Sequence, residues 1–448
     1  MLLTMAVYGA TVHTAASPVA AATEAEPLTG RIVAVGIPGV GAISQVGYFH
    51  PGGPIHDNPQ FAAFTAPGEI LDPARILVAS SSNFGAPRVN DAWPEGSVLS
   101  LAPHDGTLVI PTDFAAGDGQ ASTMNGRVRL VTAQSEAFLN GIYNKEAVTA
   151  HLPPVSLPLA ISLNNGFGRL WFANAPNGAA GVGMESIIDP DGRPLAGAPN
   201  KVAGGVFTGD ATNRLPQQVI PAGLNSGAVG TAMLGKSPDD SGRAVFAIVS
   251  ADGSVTQLHT EQGVDGLAPP GTITPLTEVD PEDVRSTQPV ATHAGMLFNW
   301  VPDAMLYVAD PQRNAIVVLT LVDDERVFQV EEILRLGLPE LDVPVDLAPA
   351  IPEVVNPAFA SNTTLAGGSD IYVANRGNGT IVRLSQRGEV RAVRRVDLPG
   401  LGPLGPGRLN GIAVSADGQK IWVTVSGELL SGQEGAVVEL PAFGAPNQ

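Results

Sequence analysis

The sequence predicts an all-β chain assembled from one small sheet repeated along its length, and three observations predict it. Glycine and proline, 52 and 39 of 448 residues, punctuate the chain from end to end. Gly supplies positive φ and Pro interrupts hydrogen-bonded interiors, so short strands joined by tight turns suit this composition better than long helices. A strand-like apolar run that ends in a turn recurs along the chain, and further short apolar strands flank most recurrences. With 44% hydrophobic residues the chain can bury a large core, which excludes global disorder.

The recurring runs are "RILVASSSN" from Arg75, "RLWFANAPNG" from Arg169, "RAVFAIVSADG" from Arg243, "MLYVADPQRN" from Met305, "DIYVANRGNG" from Asp370 and "KIWVTVSGE" from Lys420. Most lead into a second strand after the turn: "GSVLSLAP", "GSVTQLH", "NAIVVLTL", "GTIVRLSQ" and "GAVVELP". In the second copy, "NGAAGVGMESIIDPDG" sets the partner strand later. Two such strands make a hairpin, and a hairpin alone cannot bury its faces. A further strand precedes several copies: "LAISLNN", "GMLFNWVPD", "NPAFASN" ahead of "DIYVAN", and "NGIAVSADG" ahead of "KIWVTV". With a fourth strand, each unit is a small sheet able to pack face to face on its neighbours around an axis.

On these residues the chain resembles the NHL and YVTN-type β-propeller superfamily, which includes gluconolactonase-like and streptogramin-lyase-like propellers. "LNGIAVSADGQKIWVTVSGE" and "DIYVANRGNGTIVRLSQRGEV" carry the resemblance, which is good in the C-terminal third, weaker in the middle and poor before Arg75. Six blades are expected. The last unit is one strand short, and "TGRIVAVGIPG" from Thr29 is an orphan strand; pairing the two would close the ring and remove an exposed edge. The spacing between copies demands long inter-strand loops and leaves a seventh blade open.

Composition narrows the function. The formal charge of −19, from 24 basic and 43 acidic residues, opposes nucleic acid and anionic lipid as partners. The densest basic run, "VRAVRRVDL" from Val390, reads as a strand with its charges in water. The chain has no cysteine, which removes disulfides, thiolate metal sites and cysteine nucleophiles. Residues 1–22 resemble a secretory leader, with an apolar stretch and Ala20 and Ala22 in an A-x-A arrangement, although the basic n-region is missing. No run is long enough to span a membrane. A periplasmic or secreted single-domain protein of residues 23–448 is expected.

Site candidates come from the loops and from the starts of the inner strands, which line a propeller's axis. Asn410 in "RLNGIAV", Asn356 in "VVNPAF" and His293 in "ATHAGMLF" fall at comparable points and together suit a divalent cation or a polar ligand. The gluconolactonase resemblance implies a metal-coordinating asparagine in a P-N-G context, which Asn410 matches with Leu409 in place of proline. The family's N-terminal glutamate has no counterpart here. The competing reading is that these asparagines cap backbone groups at strand ends. In "YFHPGGPIHDNPQF", His50 and His56 flank a Pro-Gly-Gly-Pro hinge able to turn both rings toward one point, with Asp57 adding a carboxylate; the alternative is a connecting loop. Trp93, in the loop "VNDAWPEGS", is the tryptophan best placed to stack a ligand, whereas Trp171 and Trp422 lie in repeated strands and are expected to pack between blades. "IDPDGRPL" around Asp189 and Asp191 reads as a turn. No G-x-S-x-G or H-E-x-x-H motif occurs, and the serine-hydrolase, zincin and P-loop readings are set aside.

Two functions are therefore carried forward. The first is a binding scaffold that presents loops to a small molecule, peptide or partner protein at the channel mouth. The second is a lactonase-like hydrolase or lyase using a divalent cation in the channel, with His50, His56 or His293 as general acid or base.

Overall fold

The apolar runs singled out above become the second strands of six sheets, and their sequences explain why. Ile371–Asn375 (IYVAN) is buried at every position, as is Thr380–Leu384 (TIVRL). Such runs suit strands with a neighbouring sheet against each face. The computed structural model describes residues 25–37, 39–48, 74–80, 97–101, 106–110, 122–123, 128–133, 158–164, 169–174, 181–186, 218–219, 228–236, 244–250, 255–259, 272–275, 296–299, 304–324, 327–356, 359–365, 368–415, 418–430 and 433–444. Among the described residues all regular structure is strand, and no helix is long and apolar enough to cross a membrane.

Every sheet contains an antiparallel four-strand run. The first strands of these runs are Val40–Tyr48, Pro158–Asn164, Ala228–Lys236, Met296–Asn299, Pro344–Pro349 and Leu409–Val414. Each lies beside the next in that order, and Leu409–Val414 lies beside Val40–Tyr48. A register irregularity recurs near the start of these strands. One residue is skipped after Pro158, Ala228, Pro344 and Leu409, and two after Val40. A bulge at a repeated position bends the strand and re-aims the residues that follow.

The sheets pack face on face with period-two alternation. In Ile371–Asn375, Ile371 and Val373 join Tyr307, Ala309, Ile316 and Val318 of the preceding sheet, while Tyr372 and Ala374 join Ile412, Ile421 and Val423 of the following one. In Lys420–Leu430, Trp422 turns the other way, toward Val40, Ile43, Ile76 and Val78. Trp422 is only 2% exposed, so its expected place between sheets is the one found.

The N-terminal strand takes part in two sheets. Arg31–Val35 pairs antiparallel with Gln433–Pro441, matching Ala34 to Val437, and supplies the strand that the last unit lacks. Glu26–Thr29, just before it, adds in parallel to the outer edge of Val390–Leu398 in the adjacent sheet. The sequence had offered no sign of this second pairing, and it changes the reading of the basic run: Arg394 pairs with Glu26 at 2.8 Å and Arg395 with Asp397 at 3.2 Å. Gly30 makes the step between the sheets, its amide donating to the Asp397 carbonyl at 3.2 Å.

One strand assignment needs correcting. The segment "NPAFASN" is not the first strand of the unit that contains Ile371–Asn375; Pro344–Pro349 is. Instead Phe359–Leu365 forms a hairpin with Pro352–Asn356 and pairs in parallel with Met296–Asn299, so that it extends the preceding sheet past its first strand. The segment "NPAFASN" attracts the assignment because it alternates apolar and small residues, whereas "PVDLAP" has proline at both ends and an aspartate within, a poor strand signature on sequence alone.

Candidate functional site

Because first and second strands are antiparallel, the start of each first strand lies beside the end of its second strand. Leu409 faces Val425, and Pro344 faces Asn375. One end of the assembly therefore collects Asn410, Ser426, Arg408 and the Arg376–Gly379 turn.

Asn410 is 5% exposed, and its amide nitrogen donates to the Ser426 hydroxyl and, at 3.3 Å, to the Arg408 carbonyl. The Arg408 guanidinium donates to the carbonyls of Ser426 at 2.9 Å and Glu428 at 3.0 Å. Arg376 Nε donates to the Gly407 carbonyl at 3.1 Å, and the Gly407 amide returns a bond to the Arg376 carbonyl at 2.7 Å. Burial lowers the pKa of Arg376 below the ordinary arginine value. These contacts hold the Gly402–Arg408 connection rigidly against both neighbouring second strands.

The turns at this end repeat one device. Asn375 donates to the Glu340 carbonyl at 2.8 Å and to Thr380 Oγ1 at 3.0 Å, and accepts from the Asp342 amide at 3.3 Å. Asn314, in the corresponding turn of the preceding sheet, accepts from the Val343 amide at 2.8 Å. Both asparagines tie a second-strand turn to the segment that leads into Pro344. Val343 is held at φ 52°, a left-handed conformation costly for a β-branched residue. Burial raises the pKa of Asp342, which lies where a Cβ on Gly377 would fall.

Sequence reasoning missed Asp346. It is 8% exposed, and its Oδ1 accepts from the Leu347 amide and its Oδ2 from the Ile412 amide, both at 2.9 Å. The carboxylate thus bridges the first strands of two adjacent sheets. An isolated acid between apolar residues reads in sequence as solvent-facing, and only the placement of Ile412 on another sheet reveals its partner.

The candidate residues are not all brought together. By register, the counterpart of Asn410 in the neighbouring sheet is Val345, the bulged residue after Pro344, and not Asn356. Asn356 ends the hairpin strand Pro352–Asn356, opposite Phe359. His50, His56, Asp57, Trp93 and His293 lie outside the described residues, as do Asp189 and Asp191. Among the described residues no group of three or more His, Cys, Asp or Glu side chains is arranged to hold a metal ion. A pattern passed over in the sequence is "GTAMLGKS", Gly230 to Ser237, which spells the phosphate-loop signature. Gly230 to Lys236 lie within the strand Ala228–Lys236, paired with Ala244–Ser250, whereas phosphate cradling needs a loop opening a helix. The described polar groups at this end are spent largely on backbone amides and carbonyls of neighbouring segments, and so tie the turns and strand starts to one another.

No protein-family profile matches the chain, and no curated protein sequence matches it significantly. Among solved structures, the chain is similar to the PQQ-bound aldose sugar dehydrogenase of Streptomyces coelicolor, with 12% identity and a TM-score of 0.40 over 93% of this chain and 99% of that one. It is similar to a protein of Thermus thermophilus described as an oxidoreductase (glucose dehydrogenase), with 14% identity and a TM-score of 0.41 over 92% and 99% of the two chains. A streptogramin B lyase has 12% identity and a TM-score of 0.36 over 80% of this chain and 93% of that one.

Proposed function

We propose that the chain is an exported six-bladed β-propeller that serves as a binding scaffold, engaging a small molecule, peptide or partner protein at the end of the ring that carries Asn410. The ring is supported by the cyclic order of the six first strands and by the pairing of Arg31–Val35 with Gln433–Pro441. Export is supported by the leader-like residues 1–22.

The observation that carries binding ahead of metal-dependent hydrolysis is the state of Asn410. A strand-end clamp spends its side-chain donors on nearby hydroxyl and backbone acceptors. The Asn410 amide nitrogen does this with Ser426 and Arg408, which favours the clamp reading and leaves the chelation test to decide against a ligand role for its oxygen. The scaffold reading predicts that metal chelation leaves the melting temperature unchanged, and that Asn410→Ala lowers it equally with and without chelator. A stoichiometric divalent ion, whose removal lowers melting in the wild type but not in Asn410→Ala, would sink that reading in favour of the hydrolase.

A further inference from the structure

The hairpin Pro352–Asn356/Phe359–Leu365 is an insertion, and its surroundings give it a role that the repeat does not require. Phe359–Leu365 lies beside the first strands Met296–Asn299, Pro344–Pro349, Val40–Tyr48, Pro158–Asn164 and Ala228–Lys236, five of the six. A segment on the outside of a ring of sheets touches one or two of them. Only a segment at the centre can neighbour five at once.

We propose that this hairpin is an axial plug: it continues the Met296–Gly337 sheet inward across the axis and turns an open channel into a blind cup. The proposal rests on the ring reading above. Strand direction sets the plug's orientation. Phe359–Leu365 runs parallel to Met296–Asn299 through the pair Phe298 and Thr364, so the Asn356 and Phe359 ends point toward the end where first strands begin, which is also the end of Asn410. A ligand entering there meets the hairpin instead of a passage. The return strand Phe359–Leu365 carries the run Ser361, Asn362, Thr363 and Thr364, which is uncharged in a chain of net charge −19.

The plug also stands on a closed neck. The Ala350 amide donates to the Asp370 carbonyl at 2.8 Å, and the Ile351 amide donates to Ser369 Oγ at 2.8 Å. Gly368, at φ 79°, is already in a turn conformation. The strands Pro344–Pro349 and Ile371–Asn375 are therefore joined across the base of the insertion, and deleting residues 352–367 leaves Ile351 and Gly368 as a short hairpin loop.

Two measurements test the plug. In the shortened chain, amide hydrogen exchange in Val40–Tyr48, Pro158–Asn164 and Ala228–Lys236 is expected to quicken at least about tenfold, with Thr380–Leu384 unchanged, because only the axial edges lose their cover. Unchanged exchange in those first strands would overturn the plug. In the full chain, which has no native cysteine, Phe298→Cys with Thr364→Cys is expected to form a disulfide on mild oxidation, whether or not the shortened chain folds. The control pair Ile32→Cys with Val438→Cys reports on the ring. If the Ile32 and Val438 pair links and the Phe298 and Thr364 pair does not, the plug fails while the ring stands; if the Ile32 and Val438 pair fails to link, the ring fails first.

Discussion

Gly30 stands where the N-terminal strand leaves one sheet for another, and replacing it with alanine tests that crossing directly. A Cβ built there would lie 2.5 Å from Leu440 Cδ2, 2.6 Å from Val438 Cγ1 and 2.8 Å from the Glu439 carbonyl oxygen. Ordinary carbon contacts lie near 3.5–4.0 Å, so each neighbour would have to yield by roughly 1 Å. The two methyl groups can turn aside, but the Glu439 oxygen belongs to a backbone paired with Arg31 and cannot. Overpacking of this kind costs about 1–3 kcal/mol, and a backbone obstacle places Gly30→Ala toward the upper end, at about 2–3 kcal/mol. Gly400 is the control: its φ is 74° and nothing lies within 4 Å of its would-be Cβ, so alanine there pays only for its left-handed backbone, about 1 kcal/mol. Urea unfolding of both variants beside the wild type gives the two free energies, and limited proteolysis reports whether residues 25–35 are released. Gly30→Ala as stable as Gly400→Ala, with its N-terminus equally protected, would show that the strand does not thread between the sheets as described.

Further outcomes follow from other contacts. Arg383 donates to Asp370 at 2.7 Å and to the Phe443 carbonyl at 2.6 Å, beneath the Tyr372 ring, so Arg383→Ala should cost about 3 kcal/mol in urea unfolding and loosen the C-terminal residues to carboxypeptidase. Asp346→Ala strands the buried Ile412 amide and should cost about 1–3 kcal/mol, with faster exchange at Ile412 as its signature. Burial pushes the Glu439 carboxyl up, but the hydrogen bonds and charges of Lys420 and Arg31 outweigh it and hold the pKa below the ordinary glutamate value. A depressed folded pKa gives stability that is present above the unfolded value, about 4.3, and lost as pH falls through the folded one. Glu439→Gln should therefore be less stable than the wild type by at most about 1 kcal/mol at pH 7, and the gap should close below about pH 4 in pH-dependent melting. Val343→Asn relieves the φ 52° strain but gives up a side chain packed against the core, so the two effects should offset and leave melting within about 1 kcal/mol of the wild type.

The sequence made the second strands legible because burial on both faces demands uninterrupted apolar runs such as IYVAN, which few other structures need. The pairing of Arg31–Val35 with the last unit was legible for a different reason, since a unit one strand short and a spare strand elsewhere invite each other. Glu26–Thr29 was not, because EPLT is polar at its ends and is held by backbone bonds and by the Arg394 to Glu26 pair. The hairpin was misassigned because Phe359–Leu365 has the pattern of an ordinary strand; its sheet is decided by Phe298, far away in sequence. Within the candidate site, Asn410 could be located from its place at a strand start, but whether its amide was free depended on Ser426 in the adjoining strand. Asp346 lay beyond sequence reasoning because its partner is a main-chain amide, which carries no residue identity.

The joint between Ile32 and Val438 unites segments about 400 residues apart, with five other sheets between them in the chain. Until Gln433–Pro441 is made, Arg31–Val35 has only the two-residue strand Leu108–Val109 beside it and the sheet begun by Leu409–Val414 lies open along one side, so that sheet is completed only after nearly everything between has been synthesised. A protein built on this plan closes its last sheet late, and a restraint that keeps Arg31–Val35 from Gln433–Pro441 should slow maturation far more than an equal burden placed in a mid-chain loop.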